Sequence, residues 1–310
     1  MRLILSDRKI KSERIGNDIK IQKININTLK NFDNNSNVVA IVGSRAIAKK
    51  AINMKLPNLR LFQLTSAGFD GVPILKYREK NIDVCNAGAV YSNPIAETVV
   101  YGMLQIAKKY WKNPNNHIFR PFRKYKYITE LDSKRVLIMG CGNIGTAIAK
   151  RLIGFNMSID GYDPYCEKKN EYIYIIRNRD TLINKINQYD YIISTLPDTK
   201  ETNGFIDKSV LNNMSPNAVI INVGRKTVFN EKDLYQILKS KKIKGAVLDM
   251  FQKVPNPITN KFRRLKNTIV MPGVSAISQE VNINLTNVIL DNLVKVLNND
   301  EPKYIINKRR

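Results

Sequence analysis

The chain reads as an α/β protein built on a doubly wound parallel sheet, and three observations predict this. A strand, a glycine turn, a helix, a second strand and an acid follow one another over residues 135–163. Short apolar, β-branched runs alternate with helix-forming stretches along almost the whole chain, which is the pattern of βαβ units. A length of 310 residues, with 43% hydrophobic and 25% charged residues, suits a folded globular protein of about two domains rather than a disordered one.

Taken in order, the β-type runs Leu3–Leu5, Val38–Val42, Leu59–Leu64 and Ile82–Cys85, with helical segments between some of them, predict a first, small α/β unit. An amphipathic stretch begins after Pro94 and runs to about Tyr110. Its proline is expected at the helix entrance, where a missing N–H costs nothing. A polar, irregular stretch from Lys112 to Arg123 follows. Beyond Asp163, strands are expected at Tyr189–Leu196, Ala218–Val223, Gly245–Leu248 and Thr268–Met271, with helices near 180–187, 207–214 and 230–241 between them. Ser278–Leu297 reads as a last amphipathic helix, and Tyr304–Ile306 as a short strand that rejoins the first unit.

The segment 135–163 carries the most chemistry. The apolar strand Val136–Met139 enters Gly140, Gly142 and Gly145 at G-x-G-x-x-G spacing, and Asn143 and Ile144 open the helix. Gly140 permits the tight turn, Gly142 lets the backbone approach a pyrophosphate, and Gly145 allows close packing of helix on strand. The helix N-terminus offers free N–H groups to phosphates. Asp163, 18 residues past Gly145, closes the second strand. There an acid accepts hydrogen bonds from ribose hydroxyls and repels a 2′-phosphate, so the expected cofactor is NAD rather than NADP.

The net charge of +25 is the oddest bulk property. Basic residues cluster at 8–14, 108–126, 239–244, 261–266 and 308–310, which would suit nucleic acid or another anionic polymer. They are spread over both halves of a chain rich in Lys, Asn and Ile, without one stripe of interleaved aromatics. Composition bias is therefore the favoured reading, and nucleic acid the alternative. No apolar run approaches the roughly 18 residues of a membrane span, and Leu3–Leu5 is too short for a signal peptide. Cys85, Cys141 and Cys166 form no C-x-x-C pair and have no histidine nearby. No metal site and no disulfide framework are expected, and the location expected is cytoplasmic.

Six ordered motifs resemble the D-isomer-specific 2-hydroxyacid dehydrogenase family over nearly the whole chain. They are S-A-G-F-D at 66–70, N-A-G-A-V-Y-S-N-P-I-A-E at 86–97, G-C-G-N-I-G at 140–145, T-L-P-D-T-K-E-T at 195–202, I-N-V-G-R at 221–225 and L-D-M-F at 248–251. The resemblance implies an NAD-binding Rossmann domain, 97–282, inserted into a smaller α/β substrate domain made of 1–96 and 283–310. It also implies homodimers formed through the helix after Pro94. Ser66, Ala67 and Gly68 would hold a substrate carboxylate through backbone N–H groups. Thr195, Leu196 and Pro197 would lie under the adenosine, Val223 would line the cofactor site, and Asp249 would meet the nicotinamide carboxamide. Arg225 would clamp a 2-oxo acid carboxylate, a task suited to a planar and permanently charged guanidinium. Each also has an ordinary reading: a glycine turn, a strand end with a proline stop, a strand cap, a surface arginine.

The family supplies a proton to the new alkoxide from a histidine oriented by a glutamate. Here Gly273 occupies the histidine position and Val254 the glutamate position. The only histidine, His117, lies in the polar N-P-N-N-H segment. Three readings follow. One is an NAD-dependent oxidoreductase acting on a small anionic carboxylate substrate with low or unusual activity, using Lys226 or Tyr91 as a substitute acid. The second is a non-catalytic NAD-binding pseudoenzyme that senses the cofactor or binds a partner. The third is a basic scaffold for an anionic polymer.

Overall fold

The computed structural model describes residues 1–10, 14–108, 128–166, 170–250, 261–271 and 273–308. His117, Val254 and the 112–123 stretch lie outside the described residues. The chain divides into two compact units, Met1–Tyr91 with Ser278–Arg310, and Ser92–Ile277.

The first unit holds β1 (Arg2–Ser6), β2 (Ile19–Lys23), β3 (Val38–Gly43), β4 (Leu61–Leu64) and β5 (Asp83–Cys85), all parallel, in the order β2-β1-β3-β4-β5. β3 is buried at all six positions, as both-face coverage of a parallel sheet requires. Alternate residues feed two clusters. Leu5, Ile41, Phe62 and Val84 pack with residues of α1 (Arg45–Ala51) and α2 (Ile74–Glu79). Ile4, Val42, Leu61 and Cys85 pack with α8 (Gln279–Leu297). Ser278 caps α8 by accepting from Val281 N, and Val281, Leu285, Ile289, Leu293 and Val296 form its buried stripe.

The second unit holds β6 (Arg135–Met139), β7 (Ser158–Tyr162), β8 (Tyr174–Ile176), β9 (Tyr191–Ser194), β10 (Val219–Asn222), β11 (Gly245–Leu248) and β12 (Thr268–Val270). They form one seven-stranded parallel sheet, β12-β11-β10-β9-β6-β7-β8. The chain order reverses between β6 and β9, the topological switch point of a doubly wound sheet. On one face Leu137, Ile192, Ile220 and Ala246 meet α5 (Arg179–Lys185), α6 (Lys208–Asn212) and α7 (Glu231–Lys239) through Leu182, Val210 and Leu234. Next to β6, α4 (Asn143–Leu152) buries Gly145, Ile148, Ala149 and Leu152, the spacing of a single helical face. Among the described residues no helix is long and apolar enough to cross a membrane.

Three features depart from the sequence reading. β2 and β8 were not expected; each is a short sheet-edge strand with partly exposed side chains and a weak apolar pattern. α3 (Gly88–Lys108) begins before Pro94 and carries it inside. Burial of Ala87 and Val90 in the first unit's core, with Asn86 Oδ1 accepting from Gly88 N at 3.2 Å, starts the helix at Gly88 despite the proline. The C-terminal segment does return to the first unit, but as one antiparallel bridge, Cys85 to Ile305, rather than as a strand.

That return is wired by buried amides. Asn292 Nδ2 donates to Gln63 Oε1 at 2.7 Å and to Lys303 O at 3.0 Å, and Asn292 Oδ1 accepts from Lys303 N at 2.7 Å. Both side chains are fully buried, so removing one strands the partners of the other. Asn292→Ala should lower stability by about 1–3 kcal/mol, read as a fall in the urea midpoint. Asp291→Asn, at an exposed ion pair with Arg14 on the same helix, should change it by less than about 1 kcal/mol.

Candidate active site

In a parallel sheet every strand ends at the same edge. β6, β7, β9, β10, β11 and β12 therefore bring Gly140, Asp163, Thr195, Arg225, Asp249 and Gly273 to the carboxyl edge of the second unit. Five of these six positions were singled out in the sequence for cofactor or substrate, and the sixth for its missing histidine.

The glycine turn is built around β9. Gly140 has φ +94°, and a Cβ there would stand 2.7 Å from Thr195 Oγ1. That hydroxyl donates to Gly140 O at 2.8 Å, while Thr195 N donates to Met139 O at 2.8 Å. Gly145 is packed so tightly that a Cβ would fall 2.1 Å from Gly140 O. Gly142 is different: its missing Cβ would meet nothing within 4 Å. The protein itself does not require a glycine at 142; space left for an incoming group does. Gly142 is also the N-cap of α4, with no side chain capping that end, so the exposed Asn143 and the half-buried Ile144 open a helix whose N-terminus is left to a ligand.

Asp163 is half-buried, and each oxygen takes one backbone N–H, Oδ2 from Cys141 at 3.0 Å and Oδ1 from Tyr165 at 3.0 Å. It ties the tip of β7 to the glycine turn. A carboxylate has about four acceptor positions, so capacity remains for two ribose hydroxyls. These residues fit a dinucleotide. Leu196 and Val223 are buried and Pro197 exposed, the last forming the rim at the end of β9.

Arg225 is positioned by a residue the sequence reading passed over. Asn222, fully buried at the end of β10, donates through Nδ2 to Arg225 O at 3.2 Å and Met250 O at 2.8 Å, and accepts from Gly224 N at 3.2 Å. The available signal was an amide inside an otherwise apolar strand. Arg225 is half-buried and donates from Nη1 to Gly224 O at 3.0 Å.

Asp249 is 3% exposed and accepts from Val274 N at 2.9 Å, Ser275 N at 3.2 Å and Ser275 Oγ at 2.5 Å. It holds the turn after β12, the capping role, with limited capacity left for a carboxamide. Gly273 lies in that turn with φ +70°, its N–H shared between Asp249 O at 3.0 Å and Met271 O at 2.9 Å. A side chain at this φ costs about 1–2 kcal/mol, so the histidine is absent from a backbone that now suits glycine.

The 65–68 loop belongs to the first unit. Each of its carbonyls is held: Thr65 O by Tyr91 Oη at 2.7 Å, Ser66 O by Ala87 N at 3.1 Å, Ala67 O by Asn86 Nδ2 at 2.9 Å, and Gly68 O by Ser66 Oγ at 2.7 Å. With the carbonyls turned to protein donors, the half-buried backbone at Ser66, Ala67 and Gly68 has its N–H groups to offer an anion. Asn86 was not singled out, because its function depends on contact across 19 residues.

Neither expected substitute acid suits that role. Lys226 is exposed at the start of a 3-10 turn. Tyr91 already donates its proton to Thr65 O, and burial pushes its phenol above the usual range.

The two glycines give a paired test. Gly145→Ala forces a methyl onto a backbone carbonyl and should cost about 1–3 kcal/mol, seen as a lower melting temperature. Gly142→Ala should leave stability within about 0.5 kcal/mol.

Comparison with known proteins places this geometry. The profile for the D-isomer specific 2-hydroxyacid dehydrogenase NAD binding domain matches residues 100–275. A glyoxylate/hydroxypyruvate reductase B of Pectobacterium carotovorum is 27% identical, over 86% of this chain and 85% of that protein. A glyoxylate reductase of Thermofilum pendens is 29% identical, over 81% and 76%. Among solved structures, an NADPH-dependent glyoxylate/hydroxypyruvate reductase of Sinorhizobium meliloti, in complex with NADP and malonate, superposes with a TM-score of 0.75 at 22% identity, covering 100% of this chain and 99% of that one. The NAD-binding Rossmann fold, the strand-end site and the matched profile together make this chain a member of the D-isomer-specific 2-hydroxyacid dehydrogenase family.

Proposed function

We propose that the protein is an NAD-dependent oxidoreductase that transfers hydride at the 2-position of a small carboxylate, with low activity on 2-oxo acids. The observation that carries this is the shared strand-end edge: Arg225, fixed through Asn222, stands on the same edge as the glycine turn and Asp163. Gly142 and the open end of α4 hold the pyrophosphate, and Asp163 holds the adenosine ribose. Thr195, Leu196, Pro197 and Val223 line the adenosine and the floor of the site, and Asp249 meets the carboxamide. NADH, when bound, supplies the hydride. Arg225 binds the substrate carboxylate and polarises the reacting bond. With Gly273 and Val254 in place of the family's pair, the usual acid–base contribution of about 10²–10⁴ in rate is lost. A cytoplasmic homodimer formed through α3, on which Tyr101 is 55% exposed, completes the proposal.

The same Gly273 turn favours a second reading, an NAD-binding pseudoenzyme. NADH consumption with a panel of 2-oxo acids at high protein concentration separates the two. Slow turnover that falls by on the order of 10²–10³ in Arg225→Ala, with NADH fluorescence binding retained, supports the enzyme. Tight NADH binding and no turnover with any substrate supports the pseudoenzyme.

The cofactor choice rests on Asp163. Wild type should bind NADH more tightly than NADPH. Asp163→Asn keeps acceptors for ribose and removes the charge, and should narrow the preference about tenfold, roughly 1.4 kcal/mol. Equal Kd values for NADH and NADPH in wild type, by fluorescence titration, would refute it.

A further inference from the structure

The hydride-transfer reading leaves a chemical question: where the proton comes from. Hydride addition to a ketone makes an alkoxide, which must be protonated as it forms. At the family's acid position stands Gly273, exposed and at φ +70°, with no side-chain proton to give. Ser275, two residues on, has its hydroxyl proton committed to Asp249 Oδ2. Lys226 faces solvent and Tyr91 donates to Thr65 O.

A different electrophile turns each of these features into an advantage. We propose that the substrate of this site is a 2-imino acid in its protonated, iminium form. This rests on the hydride-transfer reading and names its substrate class. In R–C(=NH₂⁺)–COO⁻ the proton is on nitrogen before the reaction starts. Hydride from NADH forms a C–H bond at C2 and the C=N π pair becomes the nitrogen lone pair. The products are a neutral amine on C2 and NAD⁺, and no proton moves in the step. The amine then takes a proton from water after the barrier is passed. The enzyme needs to hold the carboxylate, which Arg225 does, and to tolerate a cation beside it. The same substitution that removes most of the 2-oxo acid activity leaves iminium reduction nearly untouched.

The probe is a stable cyclic 2-imino acid, 1-piperideine-2-carboxylate, compared with glyoxylate and pyruvate on the full-length protein with NADH. NADH binding is measured separately by fluorescence. The imino acid should exceed both 2-oxo acids in kcat/KM by on the order of 10²–10⁴, the size of the missing acid's contribution, and mass spectrometry should find the cyclic amino acid as product. The pH profile should follow the iminium pKa of the substrate, moving when the five-membered 1-pyrroline-2-carboxylate replaces the six-membered ring. Turnover should be lost in Arg225→Ala, with NADH affinity kept. If a 2-oxo acid is reduced as fast as the imino acid or faster, the substrate class is wrong and the oxidoreductase reading stands. If NADH binds and no probe is reduced, both this inference and the hydride-transfer reading fall.

Discussion

Everything at the candidate site depends on the parallel pairing of β6 with β9. Their register sets Met139 opposite Ser194, so the next residue of each strand, Gly140 and Thr195, emerges at one point of the edge. Thr195 N then donates to Met139 O and its hydroxyl to Gly140 O. This pins a turn that needs φ +94° at Gly140 and leaves no room for a side chain there or at Gly145. The pairing is also where the strand order reverses, so the crevice beside the turn is created by the same contact. One backbone interaction thus fixes the turn, its glycines and the end of α4 on which a phosphate would rest.

In both units polar side chains hold main-chain groups in place. In the first, the buried Asn292 and Asn307 and the half-buried Asn86 and Tyr91 hold main-chain carbonyls: Asn86 on Ala67, Tyr91 on Thr65, Asn307 on Ile82, Asn292 on Lys303. The buried Asn292 and Asn307 are hydrogen-bonded, as groups removed from water must be, and Asn86 and Tyr91 set the direction in which the 65–68 carbonyls face. In the second, Asn222 and Asp249 perform the same service at the ends of β10 and β11. Asp163 keeps acceptor capacity beyond the two bonds that position it.

The conformation of Gly273 is built into the turn after β12. Had Gly273 an ordinary conformation, the replacement could be seen as a side-chain deletion on an otherwise unchanged site. Its left-handed φ, its N–H shared between Asp249 O and Met271 O, and the grip of Asp249 on Val274 and Ser275 form one unit. Any side chain placed at 273 would meet backbone strain.

Local patterns were legible in the sequence wherever a short segment fulfils its own requirement. The glycine spacing, Asp163, the strands β3, β6, β9, β10 and β11 and the capped helix α8 depend on periodicity or on a few adjacent residues. The family resemblance added Arg225, Asp249 and the 66–68 loop as positions without saying what holds them. The edge strands β2 and β8 escaped because partly exposed edges carry little apolar signal. The entry of α3 was misread because burial of Ala87 and Val90 outweighs the local preference of Pro94. The work of Asn86 and Asn222, the committed hydroxyl of Tyr91, the exposure of Lys226 and the φ of Gly273 became known only in three dimensions. Each depends on which backbone group or solvent lies opposite, and tertiary packing alone decides that.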